Sequence, residues 1–240
     1  MADLEVMRLL GETLDRAAVD EWGVAANDGW DLAPDLPLAV PIVMRHAPQA
    51  LAGLERTEMS QAFFDDYSRL FGQLDAAAAA VVDLAHASGR RAVQISNVMS
   101  GPNDDPPLAD WGDAGVFPHK TAATQGGLGW IGKTAVFVSA RYGTAVRLTT
   151  VFTDLPLEPG TPIVQSRCGR CRICVDACPT GAGRDVLWRA GMSRDELYEE
   201  KACEAKTWEH LEWDGTCGVC QAVCPYTRAV AGEAPRALAG

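Results

Sequence analysis

All eight cysteines of this chain lie between Cys168 and Cys224, and residues 1–167 contain none. Thiols that merely fill a core would be scattered along the sequence. A chain of 240 residues buries roughly 70% of its unfolded surface on folding, so it needs no cross-links to hold a core. Its N-terminus, MADLEVMRLL, carries acids where a secretory signal needs a basic region followed by an apolar one. No run of about 18 apolar residues is present. These features predict a cytoplasmic protein without a membrane span, whose thiols stay reduced. Clustered cysteines in that setting read as metal ligands before disulfides.

The spacing narrows the choice. Cys168, Cys171, Cys174 and Cys178 follow the pattern C-x2-C-x2-C-x3-C, and Pro179 comes next. This is the bacterial ferredoxin run, in which three thiolates grip one iron–sulfur cubane and the fourth reaches a second. A second motif, Cys217-x2-Cys220-x3-Cys224-Pro225, lacks one member, and counting back by the same rule lands on Asp214. Cys203 is the one thiol left over. The simplest assignment crosses over: Cys168, Cys171, Cys174 and Cys224 for one 4Fe–4S cluster, and Cys178, Cys203, Cys217 and Cys220 for the other. Three alternatives stay open at this point. A zinc ribbon also uses C-x2-C pairs, although as two separate knuckles. Asp214 could replace Cys203 as a ligand. A disulfide set would need an oxidising compartment.

Net charge is −11, and residues 1–160 carry 11 basic and 21 acidic side chains. A nucleic-acid binder draws most of its affinity from phosphate neutralisation, so this balance predicts that a nucleic-acid partner is unlikely. Arg167, Arg170 and Arg172 form a local basic patch among the first cysteines. They would favour a reduced, more negative cluster, or serve as ordinary surface charges.

Apolar residues at helical spacing predict helices over 3–18 and about 60–88, the second ended by Gly89. Strands are predicted at Trp22–Ala26, Leu38–Met44 and Arg91–Ser96. A Pro- and Gly-rich loop spans 101–115, and a short helix covers about 119–126. Two β-branched runs, Thr134–Ser139 and Ala145–Thr153, predict a hairpin turning at 141–143. The Pro-rich segment DLPLEPGTP (154–162) suggests a boundary near residue 160. The fold class expected is α+β.

Gly127 to Thr134 (GLGWIGKT) fits the phosphate-loop pattern letter for letter. That motif requires a strand entering and a helix leaving. Here a helix-like segment enters and a strand-like one leaves, so nucleotide hydrolysis is rejected. The glycines read instead as a close backbone approach or a tight turn.

Two separated stretches then coincide. HKTAATQGGLGWIGKTAVFVSARYGTAVRLTTVFTDLPL and CGRCRICVDACPTGA, with the later KACEAKTW and CGVCQAVCPYTR, resemble the epoxyqueuosine reductase family. The chain looks most like a short branch described as 4Fe–4S double cluster binding proteins, with corrinoid reductive dehalogenases as more distant relatives. The resemblance covers about 113–228. It implies a nitroreductase-like α/β core over 1–160 and a C-terminal ferredoxin-like dicluster domain over 161–240. It also implies cobalamin beside Gly127, Leu128, Gly129, Trp130, Gly132 and Lys133, with Tyr142 and Gly143 at the rim. Cys203 gains support as a ligand. Asp113 falls on the family's general acid, with His119 and Lys120 as competing donors. Read as residues alone, Asp113 is a turn residue, and His119 and Lys120 are the polar start of a helix. His46, His86 and His210 have no constellation and read as structural or surface residues.

The implied activity is an iron–sulfur oxidoreductase. A flavodoxin- or ferredoxin-type donor would supply single electrons for reduction of a small-molecule electrophile. The alternative is a dicluster electron-transfer or corrinoid-reducing partner protein without its own substrate. The tRNA-modifying members carry a further C-terminal helical-repeat region, whereas this chain ends soon after Cys224. The chemistry is therefore expected to carry over without the tRNA substrate.

Overall fold

The computed structural model describes residues 3–28, 30, 33–52, 54, 61–95, 118–203 and 217–230. Asp113, His210, Asp214 and the predicted loop at 101–115 lie outside the described residues.

Helix α1 (Leu4–Arg16) begins where the Asp3 carboxylate accepts the backbone N–H groups of Glu5 and Val6, a standard N-cap that satisfies orphan donors. It buries Leu10 and Leu14. Strands β1 (Glu21–Trp22) and β2 (Ala25–Ala26) both pair antiparallel with β3 (Leu38–Arg45). The sequence reads 22–26 as one strand, and the structure divides it. The register is continuous, with Trp22 opposite Ile42 and Ala25 opposite Ala39, so Gly23 faces Pro41. Gly23 N–H donates to the Pro41 carbonyl at 3.2 Å. Pro41 has no N–H to return, and the ladder breaks there.

Helix α2 (Gln61–Ala87) and strand β4 (Ala92–Ile95) follow. Then come α3 (His119–Gln125), β5 (Gly129–Ile131), β6 (Phe137–Ser139) and β7 (Val146–Thr153). The larger sheet runs β1-β3-β7-β4, with β2 also on β3. β3 is buried over Ala39–Met44, as expected for a strand with both faces covered. Ala25, Leu36, Ala39, Ile95, Ala122 and Phe152 form one core cluster, which seats α3 on the sheet.

The predicted hairpin is corrected. Both β-branched runs form strands, but β6 pairs with β5 in a separate two-stranded sheet, while β7 lies between β3 and β4. The reason is at Thr144. Its N–H donates to Thr227 Oγ1 and its carbonyl accepts from Gln221 Nε2. Those backbone groups are committed elsewhere and cannot extend a β6–β7 ladder.

Past the cysteines' start the chain is largely irregular, with short helices α4 (Ile173–Asp176), α5 (Val219–Ala222) and α6 (Pro225–Val230). By contacts the chain forms two compact units that are not consecutive stretches. One comprises 1–44, 71–127 and 148–162, and the other comprises 45–70, 128–147 and 163–240. No helix among the described residues is long and apolar enough to cross a membrane.

Candidate iron–sulfur site

All eight cysteines belong to the second unit, and none forms a disulfide. Several of them lie close enough to act on one another's charge. Burial pushes the Cys174 thiol up to about 12, and the neighbouring Cys224, Cys168 and Cys171 add to the rise. Burial likewise raises Cys220 to about 12, helped by Cys174, Cys217 and Cys203. Cys174 and Cys220, from the two separate runs, are thus neighbours. Cys178 sits apart in character. Burial would raise its pKa, but hydrogen bonds from the Thr180 hydroxyl and from the backbone of Thr180, Ala182 and Gly181 leave it lowered. Donors aimed at a sulfur favour its thiolate, the form that binds iron. No three His, Cys, Asp or Glu side chains among the described residues converge to hold a single metal ion. A cubane is wider than one ion, so its ligands need not meet at one point. Partly buried thiols with N–H and O–H donors beside them suit thiolate ligation of such cubanes.

The glycine-rich segment is built onto these cysteines. α3 precedes it and β5 lies within it, so the strand-in, helix-out order of a phosphate loop is absent. Trp130 Nε1–H donates to Cys168 Sγ at 3.4 Å. The Thr134 hydroxyl hydrogen-bonds both Cys174 and Cys220. Lys133 is buried and pairs with Asp185 at 2.7 Å. Asp185 also accepts from Arg172, which in turn binds Asp176. Arg172 is thus engaged in a surface network, while Arg167 lies over the Trp130 ring, 5.7 Å from its centroid.

The residues expected to cradle a corrinoid do not fit that group. At Gly129 an added Cβ would lie 2.0 Å from the Val138 carbonyl oxygen, and at Gly143 it would lie 2.4 Å from the Thr227 nitrogen. Gly127 meets Thr161 in the same way. The space these glycines leave is filled by the chain itself, not held open for a flat ligand. Leu128 and Trp130 are buried, and Tyr142 lies beneath the guanidinium groups of Arg45 and Arg141, at 4.6 and 5.2 Å from its ring centroid.

His119 and Lys120 open α3 in the first unit, and His119 Nδ1 bonds Thr150 Oγ1 at 2.9 Å. The structure adds a constellation that the sequence reading missed. His46, buried, places Nδ1 2.8 Å from Asp66 Oδ2, and Asp66 also accepts from Ala47 N–H and from Arg69. His46 stacks on Phe63, with ring centroids 5.0 Å apart. Its Nε2 has no hydrogen-bond partner among the described residues. Burial lowers the His46 pKa to about 4, although Asp66 pulls the other way. One signal could have revealed it. Asp66 is a carboxylate set among Phe63, Tyr67 and Leu70 on the apolar stripe of α2, where an acid needs a buried partner.

Residues 167–227 match the 4Fe-4S double cluster binding domain, so this segment is similar to double-cluster iron–sulfur domains. The chain's resemblance to epoxyqueuosine reductases is equally plain. It is 35% identical over 127 residues to the epoxyqueuosine reductase of Listeria monocytogenes, covering 48% of this chain and 31% of that protein. To the Bacillus subtilis enzyme it is 32% identical over 123 residues, covering 48% and 31%. The chain spans about a third of the length of these curated relatives. Among solved structures, the catabolic reductive dehalogenase NpRdhA shares the fold over 91% of this chain and 31% of its own, with a TM-score of 0.70 at 18% identity. An epoxyqueuosine reductase solved with an epoxyqueuosine-modified tRNA stem loop matches over 93% of this chain and 66% of its own, with a TM-score of 0.58 at 20% identity. That last protein binds RNA, which weighs against the expectation, drawn from charge, that a nucleic-acid partner is unlikely.

Proposed function

We propose that the protein is an iron–sulfur oxidoreductase that relays single electrons through two 4Fe–4S clusters to an electrophilic substrate. The observation that carries this reading is the match of residues 167–227 to the double cluster binding domain, with all eight thiols in one compact unit. Cys168, Cys171, Cys174 and Cys224 hold one cluster, and Cys178, Cys203, Cys217 and Cys220 hold the other. A flavodoxin- or ferredoxin-type protein supplies the electrons. The nitroreductase-like core over 1–160 and the ferredoxin-like region over 161–240 belong to the same proposal.

The relatives act on an epoxide or on a carbon–halogen bond, as their names state. Both are carbon centres with a leaving group, and that is the substrate class proposed here. An epoxide carried on RNA belongs to it, given the relative solved with a tRNA stem loop. Cleaving a carbon–halogen bond takes two electrons and one proton and releases halide, whereas reducing an epoxide takes two electrons and two protons. Asp113, His119 and Lys120 are the proposed proton donors. Cobalamin, implied by resemblance, would supply a strongly reducing metal centre. The glycine-rich residues do not cradle it, so no step is derived through it.

That misfit favours a second reading, a dicluster electron-transfer protein serving a separate enzyme. One anaerobic preparation separates the two. It is expected to hold about eight irons and to reduce an epoxide or halide under low-potential reduction, with Asp113→Asn slowing turnover and leaving the cluster spectra intact. Full clusters without turnover, and without any change in the spectrum of added cobalamin, would sink the enzyme reading and support the carrier.

A further inference from the structure

Trp130 is 2% exposed, and its indole has a single polar hydrogen and no acceptor. That hydrogen goes to Cys168 Sγ. The ring is held in place from two sides. Arg167, next to Cys168, covers it, and Tyr226, two residues after Cys224, meets it edge-on with centroids 5.0 Å apart. The Tyr226 hydroxyl donates to the Arg167 carbonyl at 3.0 Å, which ties the two sides together. The surroundings of Trp130 are therefore drawn from residues flanking Cys168 and Cys224, both in the first group of the crossed assignment.

We propose that Trp130 is a positioning residue that raises the reduction potential of the Cys168–Cys171–Cys174–Cys224 cluster alone. This rests on the two-cluster reading above. A hydrogen bond to a ligand sulfur stabilises the more negative, reduced cluster more than the oxidised one. Each reduction takes one electron from the external low-potential donor and moves no proton. The indole keeps its hydrogen throughout. The two clusters thereby differ in potential by a contact made by only one of them, which gives the relay a preferred resting place for the electron. The tryptophan inside GLGWIGK is then neither a nucleotide-loop residue nor a corrinoid contact. It belongs to the cluster.

An anaerobic redox titration followed by electron paramagnetic resonance tests this on the full chain. Trp130→Phe should lower one of the two midpoint potentials and leave the other in place. Benzothienylalanine at position 130, which replaces the indole N–H by sulfur in a ring of nearly the same shape, should reproduce the Phe shift if Trp130→Phe itself loses iron. About eight irons with both potentials unmoved in the position-130 variants overturns the assignment and leaves the cluster reading standing. Wild-type protein that binds no iron overturns both.

Discussion

His46 shows how one residue couples this molecule to pH. Its folded-state pKa is about 4, against an ordinary value near 6.5. Between those values the unfolded chain takes up a proton that the folded chain refuses, so stability falls as pH falls through that window. Asp66 acts in the same direction. Burial opposes its ionisation, yet hydrogen bonds from Arg69, His46 and Ala47 keep its pKa below the ordinary value, so its contribution is lost as pH drops. The His46 coupling alone is on the order of 3 kcal/mol between pH 6.5 and 4. His46→Gln should therefore flatten the pH dependence of the urea midpoint across that range. Identical slopes in variant and wild type would show that another group governs acid sensitivity. The ligand cysteines were legible because their spacing is local. The His46–Asp66 pair was not, because its members are 20 residues apart and meet only when a strand end and a helix pack together.

At the scale of elements, helices read true and strand partners did not. Periodicity located α1, α2 and α3 to within a few residues, because the apolar stripe that buries a helix is written along it. The β-branched runs at 134–139 and 145–153 predicted strands correctly. Alternation says nothing about which strand lies alongside, and the commitment of Thr144 to Gln221 and Thr227 is invisible from position 144. The close approach at Gly129 was legible only as an approach, not as one to Val138. Two glycine substitutions should separate these roles. Gly129→Ala places a carbon against the Val138 carbonyl, so it should break the β5–β6 ladder at a cost of about 3 kcal/mol or more. Gly72→Ala, exposed in α2 with nothing near the added carbon, should stabilise by about 1 kcal/mol. Chemical denaturation of both variants measures the difference. A Gly129→Ala protein as stable as wild type would mean that β5 and β6 do not pair as described.

At the scale of the molecule, the cysteine segment is not self-sufficient. Leu54, Phe63 and Ala222 share one apolar cluster, and a Cβ on Gly218 would touch Leu54 and Phe63 at 3.1–3.2 Å. The β5–β6 segment supplies Trp130 and Thr134 to the thiols. A fragment beginning at residue 161 lacks Leu54, Phe63, Trp130 and Thr134, although the Pro-rich stretch at 154–162 marks that point in the sequence. Such a fragment should bind less iron than the full chain and melt without cooperativity, as read by iron content and circular dichroism. A fragment that keeps eight irons and a sharp transition would show that the boundary near 160 is a true one.

The Thr144 contacts carry one more consequence, and it concerns time. Gln221 and Thr227 stand 77 and 83 residues beyond Thr144. During synthesis, Thr144 emerges on the order of ten seconds before its partners are made. Cys224, the fourth thiol of the first group, is made with them. Three cysteines of that group thus wait beside an unfinished strand end, and a nascent chain on the ribosome should take up iron only after that interval.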